Sequence, residues 1–390
     1  MTQHDVPEIH GHVDEGFGAI ADAFAANFTE RGEVGAAFSL YVDGVERANL
    51  WAGTADSSTG RVWDESTLQL VFSTTKGIAA TCIARLVQAG KLSYDDPVAE
   101  HWPEFAVNGK EHITVGQMMS HQAGLIGVDA PLDFDGIVSV TPVIESLQGQ
   151  TPMWEPGTAH GYHAITYGWL AGELLARVDG RRIGQYVQDE IAGPLGLQMW
   201  IGLPESEESR VSRLELAPFP NDPALLEHYG KLYARDAYGY KALALDGRIS
   251  TAGDNHFNSR AVHATEMPGA NGITNARSLA RMYAATIGEV DGVRLLDTDT
   301  MNTARTQRVM GDDLTLLVPS RFGAGFWLHD TSTPMIQDGS FGHPGAGGSL
   351  GYANPELGIG YGYVMNKMGA ALTGDPRTIA LNEAVLTGLG

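Results

Sequence analysis

The stretch Leu68-Gln69-Leu70-Val71-Phe72-Ser73-Thr74-Thr75-Lys76 decides how the rest of the chain is read. An apolar run ends at Phe72, after which Ile78, Ala79, Cys82, Ile83, Leu86 and Val87 recur at helical spacing. Serine is favoured where a helix starts. Three residues is just under one turn, so Ser73 and Lys76 share a face. A hydroxyl beside an amine can be a nucleophile with its base, provided burial strips the amine of its proton. The plainer alternative is an N-cap serine next to a solvated lysine, and the remainder of the chain has to choose between the two.

A chain of 390 residues allows one large or two modest domains, and 43% hydrophobic residues are ample for a core. Against 25 Lys and Arg stand 47 Asp and Glu, a formal charge of -22. That balance argues against nucleic acid or anionic membranes as partners. The single cysteine, Cys82, excludes an intramolecular disulfide and fits a reducing compartment. It falls on the apolar stripe after Ser73 and reads as core filler. Residues Met1 to Glu8 show no basic region and no apolar run follows them. No stretch reaches the roughly 18 apolar residues of a membrane span. A soluble, cytoplasmic protein is the expectation.

Residues 14–32 read as an amphipathic helix with Phe17, Ile20, Ala21, Phe24 and Phe28 on one side. Asp43-Gly44 between two apolar segments signals a hairpin, so the chain is expected to begin helix, strand, strand. Short helices are expected near 113–121, 141–150, 164–178 and 275–288. Residues 204–272, polar and rich in Pro and Gly, read as loops and short helices around a substrate entrance. Strand patterns follow at 323–328, 340–343, 349–353 and 358–365, then a closing helix near 378–386. Strands at both ends with helices between them predict an α+β fold, with an antiparallel sheet assembled from the two termini, flanked by helices, and a mainly helical insertion. The expected division is a sheet domain of 1–72 and 290–390 and a helical region of 73–289, with the site between them.

Two further constellations carry chemistry. Trp154-Glu155-Pro156-Gly157 makes a turn ahead of His160-Gly161-Tyr162-His163-Ala164, which sets Tyr162 just before a helix. A tyrosine whose pKa is lowered by a nearby ammonium could relay a proton to or from a serine. Otherwise Tyr162 is a half-buried phenol with a satisfied hydroxyl. In Gly342-His343-Pro344-Gly345-Ala346-Gly347-Gly348, glycines between strands let a backbone approach a ligand closely. An N–H there could serve as an oxyanion donor together with that of the nucleophile. The ordinary alternative is a hairpin loop.

Together the three motifs resemble the serine β-lactamases and penicillin-recognising proteins, nearest to the class C branch with the family VIII carboxylesterases and serine D-peptidases. That family joins S-x-x-K to Y-x-N or a relative and to K-T-G or H-x-G. Here they read Ser73-Thr74-Thr75-Lys76, Tyr162-His163-Ala164 and His343-Pro344-Gly345. Order and spacing fit, and the likeness spans about residues 15–388. It implies a β-lactamase-like fold with Ser73 as the acylated nucleophile. Lys76 and Tyr162 would handle its proton and then that of the leaving group. The backbone N–H groups of Ser73 and Ala346 would form the oxyanion hole. His343 takes the lysine position of K-T-G, where it would orient Tyr162 or polarise the site, and Gly345 would line it. Which of Lys76 and Tyr162 is the base stays open, and the two are expected to titrate as a coupled pair. No cofactor or metal is implied.

Two departures bear on substrate. The asparagine of Y-x-N is Ala164 and the threonine of K-T-G is Pro344. Neither side chain can hydrogen-bond a substrate amide or carboxylate, which favours a small ester with a short apolar acyl group over a charged peptide or β-lactam. The rivals are a D-aminopeptidase or amide hydrolase, a weak β-lactamase, an acyltransferase, or a non-catalytic scaffold. Gly347-Gly348-Ser349-Leu350-Gly351 matches G-x-S-x-G, but strand and loop follow Ser349 where that motif needs a helix, and no histidine lies beyond residue 350. His160 and His163 have no Cys or acidic partner at ligand spacing and read as packing residues, as does His121.

Overall fold

In the computed structural model, which describes residues 6–216, 222–252, 255–370 and 373–390, a short strand β1 (His10–Val13) precedes the first helix α1 (Gly18–Glu30). The expected start of helix, strand, strand is thus corrected by one strand. Four residues, mostly exposed, carry too little alternation to be read in advance. Asp43 and Gly44 take φ of 50° and 75° and close the hairpin between β2 (Gly35–Val42) and β3 (Val45–Asp56). The helix after Ser73, α2, runs Thr75–Gln88 and is buried along most of its length. Next come α3 (Val115–Met119), whose Thr114 and Gln117 form a capping box, and α4 (Thr166–Asp179). The following helix named here is α5 (Ala276–Ile287). The chain then lays down β4 (Val309–Asp312), β5 (Pro319–Phe322), β6 (Trp327–Leu328), β7 (Phe341–Pro344), β8 (Leu350–Asn354) and β9 (Ile359–Met365), and closes on α6 (Pro376–Leu389).

The ten-stranded sheet has the order β1-β3-β2-β9-β8-β7-β6-β5-β4, with the two-residue strand Arg61–Val62 pairing off β3. Its neighbours are antiparallel, and the β2–β9 pairing, Val42 opposite Ile359 to Ala36 opposite Met365, joins the two halves of the chain. One face carries α5. Cβ atoms at Gly360 and Gly362 would stand 2.4 Å and 2.3 Å from the carbonyls of Ala280 and Ala276, so these glycines let the helix lie on the sheet. Alternation sends the neighbouring side chains the other way, where the Tyr352 hydroxyl meets Asn382 on α6. α5 falls within the interval read as the helical region, yet it packs on the sheet. Of the strand expected over 323–328, only Trp327–Leu328 is extended. Gly323–Phe326 is a tight turn closed by the Gly323 N–H on the Phe326 carbonyl at 2.9 Å. Residues 217–221 and 253–254 of the 204–272 stretch lie outside the described residues; the rest holds short helices, the longest Pro223–Leu232. A three-stranded sheet, Gln69–Leu70 and Met199–Trp200 on either side of Ile273–Thr274, leads the chain into Ser73. Among the described residues no helix is long and apolar enough to cross a membrane.

Candidate active site

Phe72 takes φ of 44°, a left-handed conformation unusual for a non-glycine residue, and turns the chain from Gln69–Leu70 into α2. The turn is held from the small sheet. The Thr75 hydroxyl donates to the Phe72 carbonyl and accepts the Gly272 N–H at 2.8 Å, while the Val71 N–H donates to the Gly272 carbonyl at 2.9 Å. The helix begins at Thr75, and Ser73 stands in the turn before it. Its hydroxyl therefore makes no cap, which corrects the N-cap alternative.

Lys76 is 0% exposed. Its Nζ lies 2.5 Å from the Ala164 carbonyl, 2.7 Å from the Gly269 carbonyl and 3.1 Å from Ser73 Oγ. Burial pushes its pKa well below 10.5, and no carboxylate opposes that shift. A neutral amine has two N–H donors and one lone pair. The two carbonyls accept only, so in the neutral form they would take both donors and leave the lone pair for the Ser73 hydroxyl, whereas the ammonium donates to all three oxygens. The Ala164 position thus contributes a backbone carbonyl where its side chain has nothing to offer. Gly269 carried no signal in the sequence. A Cβ at Gly168 would sit 1.9 Å from the Gly269 nitrogen, so two glycines let this loop close on α4 and reach the lysine.

Tyr162 packs its ring 4.7 Å from Lys76 Nζ. Burial raises its pKa, the adjacent Ser73 hydroxyl lowers it in part, and the charge of Asp313 raises it further. The expectation of a lowered phenol pKa is therefore corrected. Burial disfavours the charged form of the neighbouring amine as well, and it pushes the phenol towards its protonated form. His343 is buried with its ring 5.9 Å from that of Tyr162, and burial next to Lys76 holds it neutral. Its Nδ1–H donates to the Pro344 carbonyl at 2.7 Å, and its Nε2 has no partner among the described residues.

The β7–β8 turn comes up against Val71 and Thr74, on either side of Ser73 in the chain. A Cβ at Gly345 would stand 2.1 Å from Ser349 Oγ and 2.3 Å from the Val71 carbonyl, so only glycine admits this approach. Ser349 is buried, donates to the Val71 carbonyl at 2.9 Å and pairs with the Thr74 hydroxyl at 3.1 Å. It ties the turn to the start of α2, with strand β8 behind it. Neither the Ser73 N–H nor the Ala346 N–H finds an acceptor among the described residues. Arg377 on α6, held by Glu33 and Asp375, donates to the Gly347 carbonyl at 2.6 Å and anchors the turn from behind.

The histidines near Tyr162 are structural. The His163 Nδ1–H donates to the Gly161 carbonyl at 2.7 Å and its Nε2 accepts the Leu125 N–H at 2.9 Å, while burial depresses its pKa to about 4. His121 Nδ1 accepts the His163 N–H at 3.1 Å. Cys82 is buried in α2, and its thiol pKa is pushed up. No local pattern pointed to Asp313, whose carboxylate accepts the Tyr162 N–H at 2.9 Å across a separation of 151 residues.

The family model described as Beta-lactamase matches residues 20–385. The chain is 34% identical over 381 residues to the Esterase/beta-lactamase LipL of Mycobacterium tuberculosis (strain ATCC 25618 / H37Rv), an overlap of 94% of this chain and 86% of that protein. Among solved structures it is similar to a family VIII carboxylesterase, with a TM-score of 0.88, 35% identity, and 98% and 100% of the two chains covered. It is similar too to a penicillin-binding protein homolog from Caulobacter crescentus, with a TM-score of 0.88, 37% identity and the same coverage.

Proposed function

The chain belongs to the beta-lactamase family and is a serine hydrolase of the esterase/beta-lactamase kind, and on that premise we propose that it is a carboxylesterase cleaving small, short-acyl esters through an acyl-enzyme on Ser73. One observation carries the reading: Lys76 Nζ is buried 3.1 Å from Ser73 Oγ and also contacts the Ala164 and Gly269 carbonyls, so that once the amine has lost its proton these two carbonyls take its N–H donors and its lone pair is left for the Ser73 proton. Ser73 Oγ attacks the ester carbonyl as that proton passes to Nζ. The Ser73 and Ala346 N–H groups receive the oxyanion. Tyr162, kept protonated by burial, gives its proton to the departing alkoxide and is restored from the ammonium that Lys76 has become. Water then repeats the sequence on the acyl group.

An ester is favoured over a carboxylate-bearing β-lactam or peptide because, among the described residues, the site offers no free cation. Burial disfavours the charged forms of Lys76 and His343, and Arg377 is engaged by Glu33, Asp375 and two carbonyls. The Ala164 and Pro344 side chains supply no polar substitute. The test is p-nitrophenyl butyrate against nitrocefin, with Ser73→Ala and Ser349→Ala. The ester should be preferred at least about a hundredfold in kcat/KM, Ser73→Ala should abolish turnover, and Ser349→Ala should keep most of it. Equal turnover of the two substrates would sink the ester reading, and an active Ser73→Ala would sink the nucleophile.

A further inference from the structure

The extended segment carrying Tyr162 is clamped from two sides. On one side, the Gly161 N–H donates to the His121 carbonyl at 3.1 Å and the His163 N–H donates to His121 Nδ1 at 3.1 Å. On the other, the Tyr162 N–H donates to Asp313 Oδ1 at 2.9 Å. Asp313 lies just after β4 and is 2% exposed. Its Oδ1 also accepts the N–H groups of Thr315 and Leu316, each at 2.9 Å, and its Oδ2 accepts the Ser320 hydroxyl at 3.0 Å. Burial raises the pKa of this carboxyl, and the three backbone N–H groups oppose that shift because they can only donate and so favour the carboxylate. Ser320 has its one hydrogen on Asp313, which makes His160 the donor in the 2.9 Å contact between His160 Nε2 and Ser320 Oγ. The Leu314 N–H closes on the His160 carbonyl at 3.1 Å. Residues 160–162 are therefore stitched at three points to the turn that Asp313 organises.

We propose that Asp313 is a positioning residue for Tyr162, holding the backbone from which the phenol reaches the Ser73 hydroxyl and the leaving group. This rests on the acid role assigned to Tyr162 above. The geometry matters more than the charge, because the bond to Tyr162 goes to one oxygen at a fixed place. Asparagine keeps that oxygen and loses the charge. Glutamate keeps the charge and moves the oxygen by a methylene, and alanine removes both. An acid displaced by about an ångström loses on the order of a hundredfold in rate.

The experiment measures kcat and KM for p-nitrophenyl butyrate per active site titrated with a phosphonate, in the wild type, Asp313→Asn, Asp313→Glu, Asp313→Ala and Tyr162→Phe. Titration removes misfolded protein from the rate, so a purely structural role would leave kcat per site unchanged. We expect Asp313→Asn within about fivefold of wild type. Asp313→Glu and Asp313→Ala should fall about 10- to 100-fold in kcat with KM within about threefold. If Asp313→Ala does not fold, the ranking of Asn above Glu decides the matter alone. Glu above Asn, or wild-type kcat per site in Asp313→Glu, would overturn the proposal while an impaired Tyr162→Phe left the acid role standing. Full activity in Tyr162→Phe would overturn both.

Discussion

Replacing Lys76 with methionine removes the amine while keeping the length and most of the volume of the side chain. The structure sets two separate consequences. Chemically, Ser73 Oγ loses the lone pair 3.1 Å away. General base catalysis contributes about 10²- to 10⁴-fold, so kcat/KM for p-nitrophenyl butyrate should fall by about 10³-fold, or about 4 kcal/mol of transition-state stabilisation. Structurally, the Ala164 and Gly269 carbonyls lose their donor, at about 1–3 kcal/mol each, less the relief of no longer burying an amine. The variant should therefore melt in one cooperative transition somewhat below the wild type. The pH dependence separates the two effects. The wild-type rate should rise with pH as Lys76 sheds its proton at a pKa well below 10.5, and Lys76→Met should lose that rise. Folding carries the same sign. Between the lowered native pKa and 10.5 the unfolded chain binds a proton that the native chain does not, so stability from this group increases with pH across that window. Stopped-flow hydrolysis from pH 5 to 10 is the assay. A Lys76→Met enzyme within tenfold of wild type, or one that kept the wild-type pH profile, would refute the neutral-amine base.

Acid should unfold the protein partly through His163, whose pKa falls from 6.5 in the unfolded chain to about 4 in the native one. Its stabilisation is complete above pH 6.5 and is lost as pH falls towards 4, about 3 kcal/mol in all, and urea titrations at these pH values should show a shallower loss in His163→Gln. Gly345→Ala should lower stability by about 1–3 kcal/mol and turnover by more than tenfold, since its Cβ would collide with Ser349 Oγ and the Val71 carbonyl and push the β7–β8 turn off α2. A Gly345→Ala enzyme with unchanged melting and kcat would show that this close approach is not needed.

What the sequence could yield depended on how local each signal was. Ser73 and Lys76 stand three residues apart across the turn that leads into α2, so their meeting follows from spacing alone. The Asp43-Gly44 hairpin and the glycine-rich β9 are equally local. Tyr162 could be picked out only through likeness to a family, because nothing in its neighbourhood points to a serine 89 positions earlier. β1 and β4 are short edge strands whose side chains are largely exposed, so their pattern has little to alternate between. Gly269 and Asp313 lay beyond reach for a different reason. The first acts through a carbonyl that any residue carries, and the second through backbone N–H groups brought to it by the fold. The sign of the Tyr162 shift was misjudged for a related cause: burial depends on every neighbour at once, and a motif names only a few of them.

The same reasoning locates where the chemistry of this site is set. A lysine on a helix surface is an ammonium at neutral pH, and S-x-x-K by itself would be a serine beside a cation. On the proposed reading the amine becomes a base because burial disfavours its ammonium, and that burial depends on Gly168 and Gly269 lying too near each other for a side chain on Gly168. Burial acts the same way on the neighbouring groups, raising the pKa of the Tyr162 phenol and lowering that of His343. A pocket built this way has little to offer a substrate carboxylate and much to offer an uncharged carbonyl whose charge appears only in the transition state. On the proposed reading, the preference for esters and the identity of the base are in that sense one consequence of the same buried amine.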